Sequence, residues 1–351
     1  MAEGLDEFPF RWIAQDLRRG RCIPFLGAGA SVFPKDLHAK PPGARALALE
    51  LAEESRYPAY QVAFEAAIPT DPTTNERILR AKVDCENLML VSSWVEHGTG
   101  DRPRLRSKLR AYLANEQQPL PCNSLHALLA RVAKQRPMAI MTTNYDDLIE
   151  LALIERNAPF DLCVVAIDRP GTAAARRRAA GSLPRSQSDG VILFKPAEQD
   201  ELKPVTANRE LLDIEDDAGE VRLRRTALFK IHGHISRTRE NDDTFVMTEE
   251  DYVSFLGGMD SLIPWDFANL MQSRTLLFLG YSLRDWNFRV LLDRVNRKRD
   301  QRIKSYAIAH DVDATESRLW EKRNVTVYNA DLNEFVPRLD AELASMKSSS
   351  I

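Results

Sequence analysis

The sequence predicts an α/β fold: a doubly wound parallel sheet covered by helices on both faces, with a helical second lobe inserted after the first strand. Three observations predict it. Short, nearly unbroken apolar runs recur along the chain, as strands buried on both faces require. Several of these runs break into small or polar residues, and in such sheets the ligand crevice lies beyond the carboxyl ends of the strands. Between the runs lie stretches rich in Ala, Leu and charge with helical spacing.

Taken in order, Arg21 to Leu26 is an apolar run that opens into Gly27-Ala28-Gly29-Ala30-Ser31, a strand feeding a small-residue turn. Residues 45–135 then read as mostly helical, the inserted lobe. Met138 to Met141 is a second strand, ending in Thr142-Thr143-Asn144-Tyr145-Asp146-Asp147, with a helix from Leu148. Residues 168–225 are charged and punctuated by Pro and Gly, which predicts long loops or short edge strands. Order returns at the strand Ala227 to Ile231, which ends at His232-Gly233-His234. Glu249 to Leu256 follows as a short helix that Thr248 is placed to cap. Thr275 to Leu279 is a strand ending at Gly280-Tyr281-Ser282, with a helix from Asp285 to Val295. Two last strands, Lys304 to Ala309 and Val325 to Tyr328, flank a helix at Thr315 to Lys322. The expectation is one domain over residues 1–351, without internal repeats.

Charge and composition narrow the class of function. Forty-eight basic residues stand against 51 acidic ones, a formal net charge of −3, so no whole-protein field draws the chain to nucleic acid or membrane. Direct nucleic-acid binding is not expected; the basic runs at Arg176 to Arg178 and Arg297 to Arg302 read as solvated surface. Cys22, Cys85, Cys122 and Cys163 are too scattered for a zinc knuckle or a redox pair, which suits thiols in a reducing cytosol. No signal-length apolar run opens the chain, and nowhere do about eighteen uncharged apolar residues occur together. A cytoplasmic protein is expected.

Each strand end carries a chemical possibility and a plain alternative. Gly27 and Gly29 let a phosphate approach the backbone, yet Val32 stands where a longer glycine fingerprint has its last glycine, and small-residue packing explains the turn equally well. Thr142 to Asp147 combines hydroxyls, an amide and carboxylates; turn chemistry and helix capping account for part of it. His232 can act as a general base in the crevice or as a structural hydrogen bonder, and His234 competes with it. Gly280 and Ser282 repeat the small, polar ending.

The order of these motifs is what carries a resemblance. Strand-GAGAS, strand-TTNYD, strand-KIHG and strand-LGYSL resemble, in sequence and rough spacing, the motif set of the sirtuins. The closer likeness is to the sirtuin-like domains of bacterial anti-phage defence proteins. That resemblance implies a Rossmann-like sheet binding NAD. It implies that Gly27, Ala28, Gly29 and Ser31 surround the NAD diphosphate and that Asn144 and Asp146 sit beside the nicotinamide ribose, with Thr143 where many sirtuins have glutamine. His232 matches the catalytic histidine of the family's His-Gly pair. Gly280 and Ser282 match residues at the adenosine half, and Tyr328 to Asp331 falls where the family closes over adenine.

Two departures shape the expected activity. Between His232 and Gly280 the chain has no cysteine, so it lacks the zinc module of protein-deacetylating sirtuins, and no metal site is expected. After Ser31 it reads Val32-Phe33-Pro34-Lys35-Asp36 in place of the stretch that builds the acyl-lysine channel. Water is then the simplest acceptor, which makes the expected activity NAD hydrolysis to nicotinamide and ADP-ribose. Asn144 would hold the ribose or the attacking water, Asp146 would orient the turn, and His232 would be the general base. As implied by the resembling defence proteins, a homo-oligomer or a gating partner is expected, either an ATP-driven nucleic-acid motor or an Argonaute-type sensor. A protein deacylase and a silent NAD- or ADP-ribose-binding module are the alternatives.

Overall fold

The structure, a computed structural model, describes residues 4–32, 41–65, 72–99, 102–117, 119–167, 190–205, 210–217, 220–281, 286–310 and 312–348. Its frame is a nine-stranded sheet. Strands are numbered along the chain: β1 Cys22–Leu26, β2 Ala139–Thr142, β3 Phe160–Ile167, β4 Gly190–Lys195, β5 Lys203–Val205, β6 Ile214–Asp217, β7 Glu220–Leu223, β8 Thr226–Lys230, β9 Gly233–His234, β10 Thr244–Phe245, β11 Thr275–Leu279, β12 Ser305–Ala309 and β13 Val325–Asn329. The sheet order is β13-β12-β11-β1-β2-β8-β3-β4-β5. Every pair from β13 through to β3 is parallel, and β4 pairs antiparallel with both β3 and β5. The doubly wound sheet expected from the sequence is therefore present, with a mixed edge formed by the charged segment after residue 190.

Alternation along the strands divides the core into two layers, because successive side chains point to opposite faces. On one face Leu26, Ile140, Val164, Leu228 and Leu277 pack under the helices Phe10–Arg18, Ser124–Gln135, Leu148–Glu155 and Leu332–Ser348. On the other, Phe25, Met141, Val165, Phe229 and Phe278 pack under the helices Glu249–Gly257, Trp265–Ser273 and Trp286–Asn296. Thr248 caps the 249–257 helix as its sequence suggests, in a reciprocal box with Asp251.

The insertion after β1 is helical: Ala44–Glu54, Pro58–Tyr60, Pro72–Cys85, Leu88–Thr99 and Arg102–Leu113 precede the 124–135 helix. The first five surround a core of their own that includes Leu47, Leu51, Val91, Leu105 and Leu109 and reaches Ile235, Phe245 and Met247. Two arginines tie this lobe to the segment that follows His232. Arg102, buried, meets Asp251 at 2.9 Å and donates to the Phe245 carbonyl at 2.8 Å. Arg110 meets Asp243 at 2.8 Å and donates to the Ser236 carbonyl at 2.9 Å. Among the described residues no helix is long and apolar enough to cross a membrane.

Candidate functional site

Register places the motif-bearing strand ends side by side. Leu26 pairs with Leu279 and with Thr142, and Thr142 pairs with Lys230, so the chain leaves β1, β2, β8 and β11 at one level of one sheet edge. Beyond that edge the β1 and β2 turns are joined by hydrogen bonds. Thr142 donates its hydroxyl to the Leu26 carbonyl at 3.0 Å and accepts from the Asn144 N–H at 2.9 Å. The Thr143 N–H donates to the same Leu26 carbonyl at 3.2 Å. Asn144 Nδ2 donates to the Gly27 carbonyl and to Ser31 Oγ, both at 2.9 Å, and Ser31 in turn donates to Asp146 Oδ2 at 2.8 Å. Ser31, Asn144 and Asp146 are all buried.

This arrangement assigns each side chain its remaining capacity. Both amide hydrogens of Asn144 are committed to the β1 turn, which leaves its Oδ1 acceptor for a substrate hydroxyl or a water. Asp146 accepts from Ser31 with one oxygen and from the Leu148 N–H with the other at 3.2 Å, so it fixes the turn and the start of the following helix.

The glycines have a structural cause. Gly280 has φ +62° and its carbonyl accepts from the Gly29 N–H at 2.8 Å. A Cβ on Gly29 would lie 2.8 Å from the Gly280 Cα, and one on Gly280 would collide with the Ala30 nitrogen. The β1 and β11 turns thus pass too closely for any side chain. Ala28, exposed at the tip of the β1 turn, is the residue of that motif presented outward. Ser282 lies outside the described residues.

His232 follows β8 and is buried. Its carbonyl accepts from the Val246 N–H at 2.8 Å, and its ring meets Tyr252 and Phe255 of the 249–257 helix edge to face, at 5.5 and 5.9 Å between centroids. Gly233, at φ +101°, turns the chain where the Thr244 carbonyl leaves no space for a Cβ. The competing His234 is buried beside Lys230, and desolvation first, then the charges of Lys230 and Lys195, pushes it well below the ordinary histidine range. It is neutral at pH 7. The structure therefore joins Ser31, Asn144 and Asp146 directly, and sets His232 on the adjacent strand end. Tyr328 is a core residue, its ring 5.0 Å from that of Phe8.

Two contributors are not among the candidate residues the sequence singles out. Lys230, the last residue of β8, is wholly buried: its ammonium donates to the Asp146 carbonyl and pairs with Glu150 at 2.7 Å, so it supports the Asn144 turn from beneath. Asn123 caps the 124–135 helix and donates Nδ2 to the Ala30 carbonyl at 2.7 Å, anchoring the β1 turn from the other side. A lysine inside an apolar strand and an asparagine before an amphipathic run are the signals that mark them.

A protein-family model described as SIR2-like domain matches residues 138–328, more than half of the chain. The chain belongs to the SIR2-like domain family. No curated protein matches its sequence. Two solved structures are similar to it. One, from work on the structural basis for the mechanism and regulation of Sir2 enzymes, is 12% identical over 97% of this chain and 98% of that one, with a TM-score of 0.36. The other, a Sir2 variant with a deacetylated p53 peptide and 3'-O-acetyl ADP ribose, is 14% identical over 95% and 98%, with a TM-score of 0.35.

SIR2-like domains bind NAD as substrate, and NAD-dependent chemistry is the class of activity for this chain. The residues present fit that ligand. A ribose hydroxyl can donate a hydrogen bond, and the strand-end edge of this SIR2-like domain keeps the Asn144 Oδ1 acceptor for it, with His232 on the adjacent strand end. Among the described residues no group of three or more His, Cys, Asp or Glu is arranged to hold a metal ion.

Proposed function

We propose that this SIR2-like domain is an NAD glycohydrolase, converting NAD and water to nicotinamide and ADP-ribose. The observation that carries the reading is the Ser31–Asn144–Asp146 cluster, which holds the Asn144 amide in one orientation with only its oxygen left to offer. The nicotinamide C–N bond breaks with its electron pair going to the pyridine nitrogen, and positive charge gathers on the ribose. In this reading Asn144 Oδ1 orients the attacking water or a ribose hydroxyl, and His232 accepts the proton released as the new C–O bond forms. Asp146 and Ser31 keep Asn144 in place. Gly27, Ala28 and Gly29 border the diphosphate, Thr143 borders the nicotinamide end, and Gly280 and Ser282 border the adenosine half.

Water as the acceptor is supported by the sequence, which lacks both the zinc cysteines and the acyl-lysine channel stretch of deacetylating sirtuins. The resemblance of the four motifs to those of anti-phage defence proteins supports a role as an effector that depletes NAD in an infected bacterial cell. Unrestrained NAD loss is toxic, which supports gating by a homo-oligomer or by a partner such as an ATP-driven nucleic-acid motor or an Argonaute-type sensor.

The test follows nicotinamide release from NAD by the purified chain, alone and with candidate activators, for wild type, His232→Ala and Asn144→Ala. A loss of about 100-fold or more in each variant is expected. Wild-type activity that survives both substitutions sinks the assignment. Acyl-ADP-ribose formed from an acetylated peptide would replace hydrolysis with deacylation.

A further inference from the structure

The edge of the sheet opposite the strand-end crevice carries a second site. There β1 begins at Cys22 in register with Thr275 of β11, and β12 begins at Ser305, so Arg21 and Lys304 emerge at the same level. They border a cavity of about 350 Å³ together with Trp12, Asp16, Thr275 and Tyr306. This volume falls in the range of small-molecule sites, about 300–1,000 Å³.

Its chemistry is specific. Trp12 is 60% exposed and shares the cleft with the Asp16 carboxylate, which is itself buried and accepts from the Thr275 hydroxyl at 3.0 Å. The indole ring stays open to solvent beside that carboxylate. Exposed cations, Arg21 and Lys304, and the half-buried ring of Tyr306 stand around it. An exposed aromatic face beside cationic groups suits a ligand with a flat ring and an attached anion.

We propose that this cleft binds a nucleoside phosphate, the base stacking on Trp12 and the phosphate facing Arg21 and Lys304. The five residues of β1 separate it by roughly 16 Å from the β1 turn, so it is distinct from the NAD crevice. Either a free nucleotide or a nucleotide within a single strand has this chemistry.

Calorimetric titration of the full chain with AMP tests the proposal, with adenosine, inorganic phosphate and a ten-residue oligodeoxyadenylate as further arms. AMP is expected to bind at sub-millimolar concentration, and adenosine and phosphate at least about tenfold more weakly, since each keeps one half of the recognition. Trp12→Ala and Lys304→Glu are each expected to weaken AMP binding about tenfold or more, Trp12→Phe to retain most of it, and Asn144→Ala to leave it unchanged. An oligonucleotide that binds more tightly than AMP with the same Trp12 dependence supports the site and names a strand as the source. Absence of AMP binding to the wild type overturns the proposal. So does binding that is indifferent to Trp12→Ala and Lys304→Glu, or that disappears in Asn144→Ala. Trp12→Phe and Lys304→Glu decide the matter if circular dichroism shows Trp12→Ala to be unfolded.

Discussion

Ser31 and Asp146, 115 positions apart, are joined by a buried hydrogen bond of 2.8 Å from the serine hydroxyl to the carboxylate. The same hydroxyl oxygen accepts from Asn144. Ser31→Ala therefore removes two hydrogen bonds and Asp146→Ala removes one of them together with the Leu148 N–H partner. Because the pair shares a bond, the double variant is expected to cost less than the sum of the singles, by about 1 kcal/mol or more. Urea unfolding of the four proteins measures this. Additivity within about 0.5 kcal/mol would show that the two side chains are not coupled.

Lys230 is the most consequential single side chain beneath the site. Its ammonium is wholly buried and pairs with Glu150, whose carboxyl burial raises above the usual range and the Lys230 charge partly restores. Lys230→Met leaves that carboxylate unpaired and the Asp146 carbonyl without its donor. A loss of about 3–5 kcal/mol is expected, with much of it recovered in Lys230→Met/Glu150→Leu, where no buried charge remains. A single variant within about 1 kcal/mol of wild type in urea unfolding would remove Lys230 from this role.

His126 sets an acid limit on stability. It is buried, and its Nδ1 accepts from the Asn123 N–H at 3.3 Å, which only the neutral ring can do. Desolvation lowers its pKa from 6.5 to about 4. The folded form thus holds the proton less tightly than the unfolded chain. The stabilisation is complete above about pH 6.5 and is lost as pH falls toward 4, by about 3 kcal/mol at the limit. His234 acts in the same direction, while the raised carboxyls of Asp16, Asp147, Glu150, Asp161 and Asp243 act in the opposite one. The difference between wild type and His126→Gln isolates the effect, because glutamine can keep the capping box without titrating. Equal acid slopes for the two proteins would refute it.

How much of this was legible follows from where each signal resides. The strand ends at Leu26, Thr142, Lys230 and Leu279 could be read because apolar runs break there into small or polar residues, and the helices from 44 to 135 because their composition is unmistakable. β3, Phe160–Ile167, has all eight residues buried, yet its end carries no chemical motif to mark it in the sequence. The helices Phe10–Arg18 and Leu332–Ser348 pack against each other, a pairing that no local pattern displays. The role of Lys230 is not visible locally, because its partner Glu150 lies 80 residues away on a helix.

The glycines show the same limit, and they supply a prediction. Gly27 and Gly29 read in the sequence as a place where a phosphate can approach the backbone, and the structure adds a second requirement for glycine there, since a Cβ on either would meet the backbone of Gly280 or Tyr281. Gly280→Ala meets both a positive φ of +62° and a collision with the Ala30 nitrogen. The two penalties act together, so a loss of about 2–4 kcal/mol is expected. The β1 turn, which carries Ser31, would also be displaced, and nicotinamide release should fall with it. Gly257, at the end of the 249–257 helix with nothing within 4 Å of an added Cβ, is the matched control. Gly257→Ala is expected to be neutral or stabilising by up to about 1 kcal/mol. Thermal unfolding of the two variants separates a steric requirement at one turn from a general preference for glycine. If Gly280→Ala unfolds at the wild-type temperature, the close passage of the β1 and β11 turns is not what selects glycine there.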